Sequence, residues 1–309
     1  MRVLVMGAGA VGGYYGGSLA LAGHDVTLVA RGAHLEALQS QGIEIREETG
    51  AQRVAVRAVA DPAEVGPESD LVFFTVKTYD SAAAIEALRP AIGEATTVLT
   101  LQNGVDSADL LSAAYGPEHV LPGTTNIFVT LMEPGVILRR GELRTITIGE
   151  PSGQETPRLT RIAAALREAQ VNVVIPPDIQ VAVWEKFVLL AATASLTTAC
   201  DASAGEVFRE PEGPPLYRTL LEEVAAVARA SGVALAPDVV ERLIAFSRGW
   251  AFDVRSSMQV DYERRRRVEL EQIAGTLVRR ARALGVATPT FDVLYPILRI
   301  RARAFGGLD

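Results

Sequence analysis

Arg2-Val-Leu-Val-Met6, Gly7-Ala8-Gly9-Ala10-Val11-Gly12 and Val26-Thr-Leu-Val-Ala30-Arg31 follow one another at the start of the chain, with an apolar stretch of helical pattern, Val11 to Ala22, before the third. A short apolar strand thus runs into a Gly-x-Gly-x-x-Gly turn, a helix opens at the turn, and a second strand follows at the distance a βαβ unit requires. Gly7 permits the tight turn, Gly9 lets backbone approach a diphosphate, and Gly12 lets the helix pack close to the strand. The unsatisfied N–H groups of the helix start then form an anion site. The end of the second strand discriminates between dinucleotides. An acid there would accept hydrogen bonds from a ribose 2′-hydroxyl, but the chain has Ala30-Arg31-Gly32 and no acid before Glu36. A guanidinium suits a 2′-phosphate, so Arg31 points to NADP(H), the alternative being an arginine that merely starts the next helix in solvent.

The rest of the first half alternates short apolar strands with helical segments, which implies a doubly wound parallel sheet. Helices are expected over 33–40, 81–91 and 156–169. Buried strands are expected over 70–76 and 97–101. Residues 43–46 and 54–57 read as a strand pair bridged by the polar segment 47–52. Segments 125–131, 135–138 and 143–148, separated by Gly-rich turns, read as an antiparallel extension of the sheet, and 171–175 as a last strand. Pro176-Pro177 punctuates the chain. Beyond it the pattern is helical, over 179–200, 214–231, 238–248, 259–284 and 290–304. The expectation is therefore an α/β Rossmann-type domain over 1–176 and an all-helical domain over 177–309, sharing a cleft at the carboxyl ends of the parallel strands.

Composition narrows the function. The chain has 309 residues, 49% hydrophobic and 22% charged, as in soluble globular proteins. A net charge of −7 argues against nucleic acid as a partner. The single cysteine, Cys200, excludes an intrachain disulfide and reads as a small buried hydrophobe. Phe187 to Cys200, the longest apolar stretch, is short for a membrane span and carries Thr193, Ser195, Thr197 and Thr198. The N-terminus reads as a core strand rather than a signal peptide. A cytoplasmic protein with no membrane partner is expected. His24, His34 and His119 lack metal-ligand spacing, so no metal is expected.

Two more strand ends carry chemistry. Lys77 follows one buried strand, placed either to contact the cofactor near its phosphates or ribose or to sit in solvent. Asn103, in Gln102-Asn103-Gly104, could orient the nicotinamide ribose or a substrate carbonyl, or simply make a turn before glycine. In the helical half, Lys186 sits among Val183, Phe187, Leu190 and Ala191. A lysine held there loses hydration, its pKa falls, and it becomes a competent acid; the alternative is a lysine that reaches out to water. Arg264 to Arg267 lead into Glu269 and Glu271, an ordinary solvated pattern if helical. Four successive arginines on a helix point around it and make no concerted patch. Glu269 is the candidate carboxylate that would keep Lys186 charged until it donates.

The glycine motif, Val76-Lys77, Gln102-Asn103-Gly104, Trp184-x-Lys186-Phe187 and Ser256-Ser257-Met258 with Glu269, in this order, resemble the ketopantoate reductase (2-dehydropantoate 2-reductase) family over nearly the whole chain. The resemblance implies a Rossmann domain with a helical domain of the 6-phosphogluconate dehydrogenase type. It implies NADPH-dependent reduction of ketopantoate to (R)-pantoate, toward pantothenate and coenzyme A. On it, Lys186 is the general acid, and Glu269 its partner and a cofactor or substrate contact. Asn103 positions cofactor and substrate, Ser257 binds the substrate carboxylate, and Arg31 and Lys77 contact NADPH along with residues 7–12. The chain departs from the family at Leu190 and Ala194, where asparagines four and eight residues past the lysine usually meet the substrate. That makes the expected substrate pocket more apolar. A reductase of a more apolar 2-keto acid or ketone is therefore an alternative on the same frame. A β-hydroxyacid or 6-phosphogluconate-like dehydrogenase is another, disfavoured by the Ser257–Glu269 match. A non-catalytic NADPH-binding regulator is a third, in which a lysine–glutamate pair has no evident use. A homodimer is the expected assembly.

Overall fold

The computed structural model describes residues 1–308, which divide into two compact units: 1–102 with 106–179, and 103–105 with 180–308. The first unit runs Arg2–Met6 (β1), Ala10–Leu21 (α1), Asp25–Val29 (β2), Gly32–Gln41 (α2), Ile43–Glu47 (β3), Gly50–Val54 (β4), Arg57–Val59 (β5), Leu71–Phe74 (β6), Ser81–Leu88 (α3), Thr97–Thr100 (β7), Ser107–Tyr115 (α4), Val120–Glu133 (β8), Val136–Ile148 (β9), Pro157–Glu168 (α5) and Asn172–Val174 (β10). One sheet collects the strands in the order β4-β3-β9-β8-β7-β6-β1-β2-β5, with β10 paired to β9. From β8 to β5 every pairing is parallel. The chain leaves β1 toward β2 on one side and later returns to β6 on the other, so the switch in strand order lies beside β1.

The alternation of side chains explains why these strands read as continuous apolar runs. Val3, Val5, Leu71 and Phe73 enter the core that also holds Tyr15 and Leu19 of α1 and Leu166 of α5. Their neighbours Leu4, Met6, Val72 and Phe74 enter a second core with Leu88 of α3 and Leu111 of α4. Both faces of the sheet are buried, so each strand residue is apolar whichever way it points.

Beyond β7 the sheet departs from the sequence expectation. β8 and β9 are long continuous partners rather than three short strands. Their register shifts between Ile127 and Phe128, so Arg144 pairs with Ile127 while Arg140 pairs with Phe128. Residues 141–143 are absorbed as a bulge, and Gly141 bends a strand without ending it. The extension is mixed rather than purely antiparallel, since β3 and β10 join β9 in parallel. The expected partner of β3 also shifts. Gly50–Val54 folds back on Ile43–Glu47, and Arg57–Val59 leaves to join β2.

The second unit is helical: Ile179–Cys200 (α6), Ala204–Arg209 (α7), Gly213–Ala230 (α8), Val239–Ser247 (α9), Ser257–Glu263 (α10), Thr276–Leu284 (α11) and Pro289–Arg303 (α12). α7 lies between the expected helices 179–200 and 214–231. Ser203 and Glu206 form its capping box, each side chain bonding the other's backbone N–H. α6 is long and apolar enough to cross a membrane by length and composition. Its Phe187, Val188, Ala191, Ala192, Ala194 and Leu196 are buried in the core of this unit, which accounts for that composition. Cys200, expected to be buried, is exposed at the end of α6.

The expected single helix over 259–284 is broken. α10 stops at the arginine run because Arg265 adopts a left-handed conformation, φ 51°. The Arg265 and Arg266 N–H groups then close back on the Tyr262 and Asp261 carbonyls at 3.0 and 2.8 Å, the double closure of a Schellman motif. The chain runs on without helix until a π-helical turn, Glu271–Gly275, leads into α11. Val268 and Leu270 are buried in this segment, and the Val268 N–H donates to the Gly307 carbonyl at 2.8 Å. Arg265 is exposed and left-handed without glycine's freedom. Arg265→Gly should therefore raise stability by about 0.5–1 kcal/mol in urea unfolding of the whole chain. A loss of that size would contradict the assignment of the break to this residue.

Candidate active site

The turn after β1 is shaped by two crowded glycines and one open one. Gly7 has φ +99°, and a Cβ there would lie 2.8 Å from the Val76 backbone nitrogen. A Cβ on Gly12 would lie 2.3 Å from both the Gly7 carbonyl and Thr75 Oγ1. A Cβ on Gly9, the N-cap of α1, would meet nothing within 4 Å. Only glycine fits at 7 and 12, and at 9 the backbone faces free space. The first-turn N–H groups of α1 have no intrahelical acceptor. A turn of this shape can receive an anionic group such as a diphosphate.

Two supports of this turn were not legible in the sequence. The Thr75 hydroxyl donates to the Gly7 carbonyl at 2.9 Å. The Gln102 carboxamide donates to the Val76 carbonyl at 2.7 Å and to Ser81 Oγ at 2.9 Å, tying the end of β6 to that of β7. Lys77 follows Val76 and is partly buried, ahead of a short 3₁₀ turn. Arg31 is exposed as the N-cap residue of α2, two residues beyond β2. The Ala8 N–H donates to the Val29 carbonyl at 3.0 Å, so the glycine turn is fixed to the strand end that Arg31 follows.

In the helical unit, Lys186, Asn103 and Glu269 come together. The Lys186 ammonium donates to Asn103 Oδ1 at 3.2 Å. Burial pulls its pKa down to about 8, against the raising effect of the Glu269 charge. The side chain is only partly buried overall, yet its ammonium lies deep enough for desolvation to outweigh that charge. Glu269 is itself buried, 6% exposed. It lies in the non-helical segment before the π-helical turn rather than on a helix, so the chain break at Arg265 is what sets its place. Edge-to-face packing of Trp184 on Phe187, and Arg280 stacked over Trp184 at 5.7 Å, anchor the start of α6.

Other expected site residues fall elsewhere. Leu190 is partly buried one turn beyond Lys186. Ala194 is fully buried in the helical core and offers no surface to a substrate, contrary to its expected role. Two turns past the lysine, α6 has already rotated into the packed interior. Ser257 is exposed as the first residue of α10, whose cap is the neighbouring Ser256.

One signal lies in the composition. The chain has 28 arginines and only two lysines, Lys77 and Lys186. Arginine cannot give up its proton near neutrality, whereas a desolvated lysine can. Of the two lysines, Lys186 is the one whose ammonium is deeply desolvated. A desolvated lysine near neutrality and a glycine turn open to an anion are features that a nicotinamide-dependent oxidoreductase can use.

Comparison with known proteins agrees. Residues 3–153 match the family described as ketopantoate reductase PanE/ApbA, and residues 178–302 its C-terminal domain. The 2-dehydropantoate 2-reductase of Halobacterium salinarum is 33% identical over 98% of this chain and 99% of its own. The crystal structure of a PanE/ApbA family ketopantoate reductase from Ralstonia eutropha JMP134 superposes with a TM-score of 0.91 at 33% identity, covering 99% of this chain and 100% of that one. A ternary structure of D-mandelate dehydrogenase with NADH and anilino(oxo)acetate shares the fold, with a TM-score of 0.89 at 21% identity over 99% and 100% of the two chains. The chain belongs to the ketopantoate reductase family and is an NAD(P)-dependent oxidoreductase of that type.

The Glu269 charge raises the pKa of Lys186. Glu269→Gln removes that charge, so the pKa should fall below about 8 and the alkaline limb of kcat/KM for ketone reduction should move to lower pH. An alkaline limb unmoved in Glu269→Gln would remove Glu269 from this role.

Proposed function

We propose that the chain reduces 2-dehydropantoate to (R)-pantoate with NADPH, a step toward pantothenate and coenzyme A. The observation that carries the reading is the Lys186 ammonium, depressed to about 8 by burial and bonded to Asn103. The first unit would be the dinucleotide domain and the second the substrate domain. The backbone of residues 7–12 would hold the diphosphate, Arg31 the 2′-phosphate, and Lys77 a phosphate or ribose. When bound, the reduced nicotinamide supplies the hydride.

The remaining work falls to the chain's own residues. Lys186 hydrogen-bonds the ketone oxygen and polarises the carbonyl. As C2 is reduced, that oxygen gains negative charge, and Lys186 gives it the proton that completes the hydroxyl. Asn103 accepts from Lys186 and so fixes the direction of its remaining N–H groups. Glu269 keeps the amine protonated in a setting that would otherwise discharge it. Ser257 is assigned to the substrate carboxylate. With the amine at about pKa 8, reduction weakens as pH rises through that value, because the acid has then lost its proton.

Leu190 is the observation that favours a second substrate class. It stands one turn from Lys186, on the same face, as an apolar side chain. The test is NADPH oxidation with ketopantoate beside a panel of more apolar 2-keto acids, in wild type and Lys186→Ala, with NADH as control. Ketopantoate turnover should fall roughly 100-fold or more in Lys186→Ala, with NADPH affinity retained. Turnover with apolar substrates alone would move the substrate assignment to that class. Near-wild-type turnover in Lys186→Ala would overturn the role of Lys186.

A further inference from the structure

His34 lies in the first turn of α2 and is bonded at both ring nitrogens. The Gly135 N–H donates to Nδ1 at 2.9 Å, and Nε2 lies 2.7 Å from the Ala8 carbonyl. A backbone N–H can only donate, so Nδ1 is the bare nitrogen. The ring proton therefore sits on Nε2 and is donated to Ala8. The imidazole bridges the turn between β8 and β9 to the middle of the glycine turn.

The consequence concerns the next peptide group. The Ala8–Gly9 bond is trans, since the chain has no cis peptide bonds among its described residues. In a planar trans peptide the C=O and N–H point in opposite directions. A carbonyl held toward His34 sends the Gly9 N–H the other way. The preceding peptide is fixed as well: its Gly7 carbonyl accepts from Thr75, and its Ala8 N–H donates to Val29. The following one is set by the helix, because the Gly9 carbonyl accepts from the Gly13 N–H at 2.7 Å. The Ala8–Gly9 peptide is the one plane in this turn whose orientation depends on a side chain from α2.

We propose that His34 is a positioning residue for the dinucleotide: by holding the Ala8 carbonyl it aims the Gly9 N–H at the diphosphate. This rests on the reading of residues 7–12 as the dinucleotide cradle. His34 touches the turn and not the ligand. Its effect is on the diphosphate, which NADPH and NADH share, rather than on the 2′-phosphate assigned to Arg31.

The two roles separate in one titration. NADPH and NADH are each titrated by fluorescence into wild type, His34→Ala, His34→Gln and Arg31→Ala, with the melting temperature of each dinucleotide-free protein as the folding control. His34→Ala should weaken both dinucleotides by the same factor, roughly fivefold to tenfold. kcat at saturating NADPH and the KM for the keto acid should hardly change. His34→Gln carries both a donor and an acceptor and should recover most of the loss. Arg31→Ala should weaken NADPH alone. Wild-type affinity for both dinucleotides in His34→Ala would overturn the proposal, as would a loss confined to NADPH. If His34→Ala does not fold, His34→Gln and His34→Leu carry the same comparison. A wild-type protein that binds neither dinucleotide would instead remove the cradle reading on which the proposal rests.

Discussion

A primary amine has been placed where water solvates it poorly, and the rest of the site depends on how the chain tolerates that. Desolvation favours the neutral amine; a buried carboxylate and a carboxamide oxygen favour the charged one. At Lys186 burial outweighs the charge of Glu269, and the balance leaves the ammonium at about 8. A group poised there is protonated at neutral pH and can still surrender its proton within a catalytic cycle. Arginine at the same place would satisfy Glu269 and Asn103 but could not give up a proton.

The parts that hold this balance come from distant stretches of chain. Asn103 is delivered by the loop that follows β7, Lys186 by the third turn of α6, and Glu269 by a segment that is not helical at all. The left-handed Arg265 ends α10 early and lets the chain run to Glu269 with Val268 and Leu270 buried on either side. Had the helix continued, the position of Glu269 would have been set by helical periodicity. In the first unit the same economy governs the glycine turn, where strand, helix and side-chain donors each fix one peptide plane and leave Gly9 facing open space.

Much of this was legible in the sequence where a local rule applied. The parallel strands are buried on both faces and so appear as unbroken apolar runs. The glycine turn was legible because Gly7 and Gly12 answer a steric demand that no other residue meets. The pairing of Lys186 with Glu269 was readable from chemistry and family resemblance. Other features were set by contacts that leave little local trace. The end of α10 has an arginine where a left-handed cap ordinarily has glycine, so the helix pattern ran on through it. The bulge at 141–143 let two short expected strands fuse into β9. The family resemblance put Ala194 against the substrate, but the packing around α6 encloses it. His34 has no metal-ligand spacing, and its two backbone contacts lie far away in sequence, so nothing local marks it.

The chemistry of the site turns on Lys186 being a depressed ammonium held ready as an acid. That state is tested most directly by an NMR titration of the lysine side-chain nitrogens. With only Lys77 and Lys186 in the chain, a Lys77→Arg variant leaves a single signal to follow. This signal should titrate near 8; titration at the ordinary lysine value, about 10.4, would contradict a depressed ammonium at Lys186.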